Sequence, residues 1–249
     1  ATPQWFISME SHGLRKKALK ALDDTTFYPD KGRERIKAMI ETRPDWCVSR
    51  QRVWGVPLPI FVHRVTKKIL ADDEVNENIA SIYEKEGSDC WFSDDPQRFL
   101  GDKYKAEDYE KISDIVEVWF DSGCTHAFVL EKREDLQWPA SMYLEGSDQH
   151  RGWFHSSLLE SCGTRGRAPY ESVLSHGFVV DGKGLKMSKS VGNVIAPEDI
   201  LKKYGADILR IWVASSNYEE DLRIDYSILE QHADSYRKIR NTFRYLLGN

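Results

Sequence analysis

Strand-like and helical segments alternate along the second half of the chain, and this alternation limits the possible folds more than any other feature. Short apolar runs at residues 115–120, 141–145 and 173–180 predict strands. Helical spacing at residues 153–161 and a Pro-started segment at residues 197–204 predict helices. Because parallel strands need long, usually helical crossovers, this order predicts an α/β fold built on a parallel sheet.

The composition is that of a globular chain. Of the 249 residues, 30% are charged and 41% are apolar, and the net charge is −5, which excludes collagen-like and broadly disordered chains. Apolar runs stay well below the roughly 18 residues that span a bilayer, and no signal-peptide pattern is present, so we expect no membrane association. The widely spaced cysteines predict neither a disulfide framework nor a thiol-bound metal, and they fit a cytoplasmic protein. They are Cys47, Cys90, Cys124 and Cys162.

Charge is distributed unevenly along the chain. Residues 31–68 include ten basic and three acidic residues, whereas residues 69–121 include five basic and sixteen acidic ones. Either block can be a solvated face, and the basic block can also follow a phosphate backbone. The acidic block has poor periodicity, which favours an insertion over a core layer.

The flanks of the alternating region predict further elements. Helical spacing at residues 34–40 stops before Pro44, and residues 55–62 follow the pattern of a strand. Residues 207–213 predict a helix after Gly205. The last helix, at residues 226–247, is amphipathic, and its Ser227 and Glu230 are expected to form a capping box.

Three polar segments, at residues 121–123, 145–149 and 176–177, are assigned to the ends of predicted strands. Ligands of parallel α/β sheets bind at the carboxyl ends of strands. There Glu145 can hold an ammonium group, Gly146 allows close approach to the backbone, and Asp148 and Gln149 can accept from ribose hydroxyls. The alternative is a polar turn that caps the next helix.

Residues 181–190 are a second candidate site. Asp-Gly after a strand predicts a tight turn, and Lys186 and Lys189 follow it with Ser188 between them. Lysines in such a loop can stabilise negative charge that develops on a triphosphate. The segment does not fit the Walker A pattern, and a solvated turn is the alternative. Trp119, at the end of a predicted strand, is either a core residue or the wall of a small apolar pocket.

The KMSKS segment at residues 186–190 matches the signature of the class I aminoacyl-tRNA synthetases letter for letter, and the chain resembles that family. The WFDSG form at residues 119–123 is similar to the isoleucyl-tRNA synthetases in particular, since the valine and leucine enzymes differ there. Matching stretches run over nearly the whole chain in the family's order. They are ATPQWF at 1–6, DWCVSRQRVWG at 45–55, VWFDSG at 118–123, YLEGSDQHRGWF at 143–154, SHGF at 175–178 and GADILRIW at 205–212.

The resemblance implies a two-step ligase reaction. Isoleucine and ATP give isoleucyl-adenylate and pyrophosphate, and the acyl group then moves to tRNA(Ile). It also implies that Mg²⁺ arrives with ATP, that the family's zinc site lies outside this chain, and that the protein is a cytoplasmic monomer.

The family's site residues carry over position by position. Lys186 and Lys189 resemble the catalytic lysines that stabilise the pyrophosphate leaving group. The expected aminoacyl-adenylate site comprises Glu145, Gly146, Asp148, Gln149, Trp119 and Trp153. The expected ATP site comprises His176, Gly177, Lys186, Ser188 and Lys189. The two indoles are expected to converge on one isoleucine-sized cavity near Glu145, and no metal ligand is expected.

The resemblance also implies a domain order. It corresponds to the second half of a Rossmann-like catalytic domain with a connective insertion, followed by the start of an α-helical domain. The expected segments are 1–50, the return from an editing insertion; 51–114, the connective insertion; 115–215, the catalytic half; and 216–249, the stem contact and the first part of the anticodon-binding domain.

The family's H-x-G-H motif does not occur in the sequence, so we expect little activity from this chain alone. The bulk of the editing domain is also missing, so no editing is expected. Two alternatives stay open. One is a non-catalytic tRNA-binding or structural fragment, and the other is a related valine or leucine enzyme.

Overall fold

The computed structural model describes residues 2–248; Ala1, the first residue of the ATPQWF match, and Asn249 lie outside the described residues. The chain divides into two compact units. The first unit comprises residues 2–25, 36–141 and 151–171, and the second comprises residues 26–35, 142–150 and 172–248. The strands are β1 Phe6–Ile7, β2 Thr26–Tyr28, β3 Trp46–Cys47, β4 Ser49–Arg50, β5 Phe61–His63, β6 Tyr109–Lys111, β7 Ile115–Val116, β8 Tyr143–Gly146, β9 Ser172–His176, β10 Val179–Asp181 and β11 Leu222–Ile224. The helices are α1 Leu14–Asp23, α2 Lys31–Glu41, α3 Asp73–Glu86, α4 Cys90–Ser93, α5 Pro96–Leu100, α6 Val118–Gly123, α7 Trp153–Thr164, α8 Pro197–Tyr204, α9 Ala206–Ser215 and α10 Tyr226–Gly248.

A parallel sheet with strand order β2-β9-β8 forms the base of the second unit. Val173 in the middle strand is fully buried and pairs with Phe27 on one side and Tyr143 on the other. Apolar residues buried at the centre of a parallel sheet are typical of α/β proteins. The predicted parallel α/β fold is therefore confirmed.

The predicted continuous strand at residues 173–180 is wrong, because the chain leaves the first sheet after His176. Gly177 N donates to the Tyr218 carbonyl at 2.9 Å, and Phe178 N donates to Asp221 Oδ1 at 2.8 Å. These bonds replace ladder bonds. They direct the next residues into β10, which pairs in parallel with β11 in a separate two-stranded sheet.

The predicted strand at residues 115–120 is also too long. Only β7 is extended, and it pairs antiparallel with β4. Glu117 N donates to the Val48 carbonyl, and α6 then begins at Val118 and packs against α7. Residues 121–123 therefore lie in a helix, not after a strand of the parallel sheet, so that prediction is wrong.

The helix predictions agree better with the structure, because local spacing and end signals set helix bounds. Residues 197–204 form α8 as predicted, while residues 34–40, 153–161 and 207–213 lie within α2, α7 and α9. The predicted strand at residues 55–62 survives only as β5, which starts at Phe61, with Pro57 in an isolated bridge to Ile115.

The acidic stretch of the first unit has an apolar core of its own. Trp91 is fully buried at its centre, and its indole Nε1 donates to the Ile112 carbonyl at 2.7 Å. Asp72 caps α3 by accepting from Glu74 N and Val75 N, a typical N-cap arrangement. The buried members of this core are Phe61, Val75, Ile79, Ile82, Trp91, Phe99 and Leu100.

Helices α8, α9 and α10 surround a second core in the second unit. Its buried residues are Ile200, Ile208, Trp212, Ile224 and Leu229. The predicted capping box at Ser227 and Glu230 is wrong, because the Asp225 carboxylate takes the N-cap position. Asp225 Oδ1 accepts from Ile228 N at 2.8 Å and from Ser227 Oγ at 2.7 Å. Within residues 2–248, no helix has the length and apolarity needed to cross a membrane.

Glu160 is a buried carboxyl group on α7, with 8% of the residue exposed. It lies against Gly123, where an added Cβ would collide with the carboxyl group. Burial raises the pKa of Glu160 from 4.5 to about 8, and Asp121 and Glu117 add to this rise. Between these two values the folded chain holds a proton that the unfolded chain has lost, so the free energy of unfolding falls as pH rises.

We expect Glu160→Gln to raise the midpoint of thermal unfolding, and to raise it more at about pH 9 than at about pH 5. The amide stays neutral at both values, whereas the buried glutamate must ionise at the higher one. Thermal melts followed by circular dichroism at the two pH values measure the difference. Glu84→Gln, on the exposed face of α3, is the matched control and should show no such pH dependence. An equal shift for Glu160→Gln at both pH values would contradict the prediction.

Candidate functional site

The carboxyl ends of β8 and β9 bring together two of the predicted segments. Glu145 is exposed and pairs in register with Ser175, and Gly146 pairs with His176. A Cβ at position 146 would come within 2.6 Å of Asp148 Oδ1. The absence of a side chain at Gly146 therefore leaves room for the Asp148 carboxylate beside the strand end.

A 3₁₀ turn at Ser147–Arg151 follows β8 and orders the polar side chains there. Gln149 Nε2 donates to Asp148 Oδ2 at 3.1 Å, and His150 Nδ1 donates to the Ser147 carbonyl at 2.7 Å. Burial lowers the pKa of His150, which favours the neutral imidazole. Asp148 is exposed, whereas Gln149 is half-buried. The exposed carboxylate can accept hydrogen bonds from a ligand's hydroxyl groups.

A cavity of about 240 Å³ lies beside this turn, within the second unit. Its lining combines hydroxyl, imidazole and cationic side chains with one carboxylate. The lining residues are Pro29, Lys31, Gly32, Arg35, Ser147, His150, Ser175, His176 and Glu219.

His176 and Gly177 form the point at which the chain leaves the parallel sheet. The His176 Nδ1 donates to the Gly177 carbonyl at 2.7 Å. A Cβ at position 177 would collide with the backbone of Glu220 and Asp221. The close approach of two backbone segments thus requires glycine at this position.

The KMSKS segment lies in a turn-rich loop at residues 181–193, which we call the signature hairpin because one antiparallel bridge closes its first part. It starts with the predicted turn, in which Gly184 N donates to the Asp181 carbonyl at 2.8 Å and Gly184 has a φ of +83°. Lys186 then forms an antiparallel bridge with Val180. Lys186 and Lys189 are exposed, as a role toward a bound anion requires.

Two features of the signature hairpin escaped the sequence interpretation. Met187 packs against the apolar core of α8, α9 and α10, so the hairpin is attached to that core between its two lysines. Asn193 hydrogen-bonds to three parts of the hairpin with its amide group. The Gly-Asn pair at residues 192–193 was the available signal, because Asn side chains often bond to nearby backbone in turns.

The two tryptophans predicted to line the amino-acid pocket both belong to the first unit. Trp119, which is 41% exposed, lines a cavity of about 290 Å³ together with Arg50 and Glu117. Trp153 is half-buried, and its Nε1 donates to the carbonyl of Ser122 on α6 at 3.0 Å. The indoles therefore lie on two helices that pack together. Their convergence on one cavity near Glu145, a residue of the second unit, stays a prediction.

Across residues 2–248, His, Cys, Asp and Glu side chains form no group of three or more that could hold a metal ion.

The second unit thus combines a parallel sheet, whose strand ends carry polar side chains, with a hairpin that carries two exposed lysines. A family model described as tRNA synthetases class I (I, L, M and V) matches residues 1–225. The chain belongs to this family.

Relatives with curated names cover the whole chain. It is 96% identical to an isoleucine–tRNA ligase of Pelagibacter ubique over all 249 residues, which is 28% of that protein. It is 57% identical to an isoleucine–tRNA ligase of Zymomonas mobilis over 99% of this chain and 27% of that one. The chain thus spans little more than a quarter of the length of these relatives.

A solved structure supports the fold. The chain superposes with a TM-score of 0.60 on a Mycobacterium tuberculosis methionyl-tRNA synthetase bound by methionyl-adenylate. The match covers 93% of this chain and 37% of that chain, at 18% sequence identity. At this identity the likeness shows a shared fold and carries no information about the ligand.

We expect Gly177→Ala to lower the free energy of unfolding by about 1–3 kcal/mol, the usual range for overpacking. The added methyl group would collide with the Glu220 and Asp221 backbone, which cannot move as a flexible side chain can. Urea unfolding followed by fluorescence measures the loss. Gly163→Ala is the matched control, because its Cβ would meet only Leu14 Cδ1 at 3.7 Å, an ordinary contact. Equal stability of the two variants would refute the clash.

Proposed function

We propose that this chain is the KMSKS-bearing part of an isoleucine–tRNA ligase. The reaction is the ATP-dependent formation of isoleucyl-adenylate, followed by transfer of the isoleucyl group to tRNA(Ile). The observation that carries the proposal is the presence, in one unit, of a strand-end carboxylate, Glu145, and the signature hairpin with its exposed lysines. A binding module that performs no chemistry has no need for both.

The choice of isoleucine rests on the relatives rather than on the site. Both of the curated proteins described above have this name, at 96% and 57% identity. The VWFDSG stretch at residues 118–123, in the isoleucine form, agrees with them. A valine or leucine enzyme is therefore the weaker alternative.

Lys186 and Lys189 are proposed to act on the phosphates of ATP. Negative charge moves onto the departing pyrophosphate as the new bond to the α-phosphorus forms, and two ammonium groups held near it stabilise that charge. Ser188, between them, can donate its hydroxyl to a phosphate oxygen. Mg²⁺ bound to ATP would neutralise further charge on the phosphates.

Glu145 is proposed to hold the ammonium group of the amino acid. A carboxylate at an exposed strand end can form a charge-assisted hydrogen bond with that group. Asp148 and Gln149 would accept from ribose hydroxyls. Gly146 leaves room for the adenylate, and His176 and Gly177 would border the adenine ring.

Trp119 and Trp153 are proposed as walls of the isoleucine side-chain pocket. Indole rings present large, rigid apolar faces at little cost in conformational entropy. We further propose a cytoplasmic monomer, in line with the widely spaced cysteines. Size-exclusion chromatography with light scattering tests the oligomeric state.

The proposal can be tested in a full-length chimera, in which this chain replaces the matching segment of the Pelagibacter ubique relative. We expect Glu145→Gln to raise KM for isoleucine most, because its carboxylate pairs with the ammonium group in both the ground and the transition state. We expect Lys189→Ala to lower kcat most, because its charge acts only as the bond breaks. Isoleucine-dependent ATP–pyrophosphate exchange measures both constants.

The unsubstituted chimera and Lys132→Ala, a lysine of the exposed turn after residue 130, are the controls for this experiment. A chimera without isoleucine-dependent exchange would refute the proposed function. The same kinetic pattern in both site variants would refute the division of roles.

We expect Trp153→Ala, in the same chimera, to weaken isoleucine binding far more than ATP binding. The substitution removes one wall of the proposed side-chain pocket and should leave the phosphate contacts in place. Equilibrium fluorescence titration with each ligand measures the two dissociation constants. Trp91→Phe, in the separate core of the acidic stretch, is the control. Equal weakening for both ligands would indicate general unfolding and would contradict the pocket assignment.

A further inference from the structure

Asn193 occupies a position that the proposed function does not explain. It lies at the far end of the signature hairpin, seven residues after Lys186, and is half-buried. Its Oδ1 accepts from the backbone N–H of Ser188 at 2.9 Å. Its Nδ2 donates to Asp181 Oδ2 at 2.9 Å and to the Lys186 carbonyl at 3.2 Å. One side chain therefore connects the start, the middle and the end of the hairpin.

Asp181 completes this connection from the strand side. Its Oδ1 accepts from the backbone N–H groups of Lys183 and Leu185, at 3.0 and 2.8 Å. Its other oxygen accepts from Asn193. The Asn193 amide and the Leu185 N–H hold the pKa of Asp181 below its usual value, so the carboxylate is charged and can act only as an acceptor at neutral pH.

The two contacts that Asn193 makes on the signature motif lie directly beside the lysines. Ser188 precedes Lys189, and the Lys186 carbonyl belongs to the first lysine itself. Met187, between them, is held by the apolar core of α8, α9 and α10. Two contacts thus hold the backbone of both lysines: the packing of Met187 in the apolar core, and the hydrogen bonds of the Asn193 amide.

We propose that Asn193 is a positioning residue of this enzyme, which acts through the Asp181–Asn193 pair to hold the signature hairpin in the conformation that presents Lys186 and Lys189 to ATP. The inference rests on the proposed function and deepens it. Asn193 touches no reacting atom in this account. It holds the backbone of the two lysines in place before the reaction, so less conformational entropy is lost when they bind the phosphates.

The geometry makes a specific demand on the chemistry of the pair. Position 181 must accept from two backbone N–H groups. Position 193 must accept from Ser188 N–H and donate to the Lys186 carbonyl, and one of the two side chains must donate to the other. Asp181 and Asn193 satisfy this in one arrangement. Exchanging the amide and the carboxylate satisfies all but one of these demands. The new amide at position 181 keeps an oxygen for the backbone N–H groups and gains a donor, but a carboxylate at position 193 cannot donate to the Lys186 carbonyl.

The experiment compares Asn193→Ala, Asn193→Asp and the double variant Asn193→Asp with Asp181→Asn in the full-length chimera. Asn193→Ala removes the connection, and Asn193→Asp opposes two carboxylates. We expect both single variants to lower kcat for ATP–pyrophosphate exchange by about 10²-fold, the usual loss when a reacting group is misplaced. KM for isoleucine should not change. The double variant should regain part of the lost kcat, because it restores the bond between the two side chains but not the bond to the Lys186 carbonyl.

Trypsin provides a second measurement that does not depend on activity. Lys186 and Lys189 are exposed cleavage sites, and release of the hairpin should increase cutting after them in both single variants. The double variant, in which the two side chains bond again, should regain part of the protection. Asn78→Ala is the matched control. Its half-buried amide also donates to two backbone carbonyls, those of Arg98 and Phe99, but lies in the acidic stretch.

The outcomes separate the two proposals. Wild-type kcat and trypsin resistance in Asn193→Ala would overturn the positioning role. So would a loss of activity matched by Asn78→Ala, or a double variant no better than Asn193→Asp. A chimera with no isoleucine-dependent exchange before any substitution would overturn the proposed function instead, and the trypsin rates would still decide whether Asn193 holds the hairpin.

Discussion

The parallel pairing of β8 and β9 is the interaction on which the second unit depends. Its register places Gly146 opposite His176, so two chain segments that are thirty residues apart end at the same edge. Because both strands run in the same direction, the side chains that follow them face one region of solvent. Glu145 is exposed at this edge, whereas Tyr143 of β8 and Val173 of β9 are buried within the sheet.

Gly177 is the position at which the chain leaves this sheet and enters the next one. The backbone of Glu220 and Asp221 approaches so closely that any side chain at position 177 would collide with it. The approach allows Gly177 and Phe178 to bond to the 217–221 loop rather than continue the ladder. Strand β10 consequently pairs with β11, which leads directly into the Asp225 cap of α10. The signature hairpin therefore follows β10 directly, and the partner strand β11 is followed directly by α10.

The sequence predicted best what local chemistry decides. The α8 bounds follow from Pro197 at its start and Gly205 after its end, and the turn at residues 181–184 follows from its Asp-Gly pair. Residues 118–120 were misassigned, because an apolar run of that length fits a strand and a helix equally well. A non-local bond, from Glu117 N to the Val48 carbonyl, ends the strand there. The α10 cap was misplaced by two residues, since Asp225 and Ser227 are both good capping residues and only the structure distinguishes them.

In the candidate site, too, local features could be predicted from the sequence and non-local contacts could not. Glu145, Gly146 and His176 could be placed together from the sequence, because parallel strand ends are neighbours in any such sheet. The role of Asn193 could not, since a Gly-Asn pair is an ordinary turn signal and its partner Asp181 is twelve residues away. Spacing alone does not reveal which carboxylate an amide will meet across a hairpin.

In its proposed role, the signature hairpin meets two requirements that oppose each other. Lysines that stabilise a leaving group must be exposed to reach it, yet an exposed loop that orders only during the reaction loses conformational entropy at that moment. Here Met187 in an apolar core and the Asn193 amide hold the backbone, while both lysines are exposed. Electrostatic stabilisation of a transition state is most effective when the charges need little reorganisation. If the two lysines act on ATP as proposed, this arrangement confines that reorganisation to their side chains.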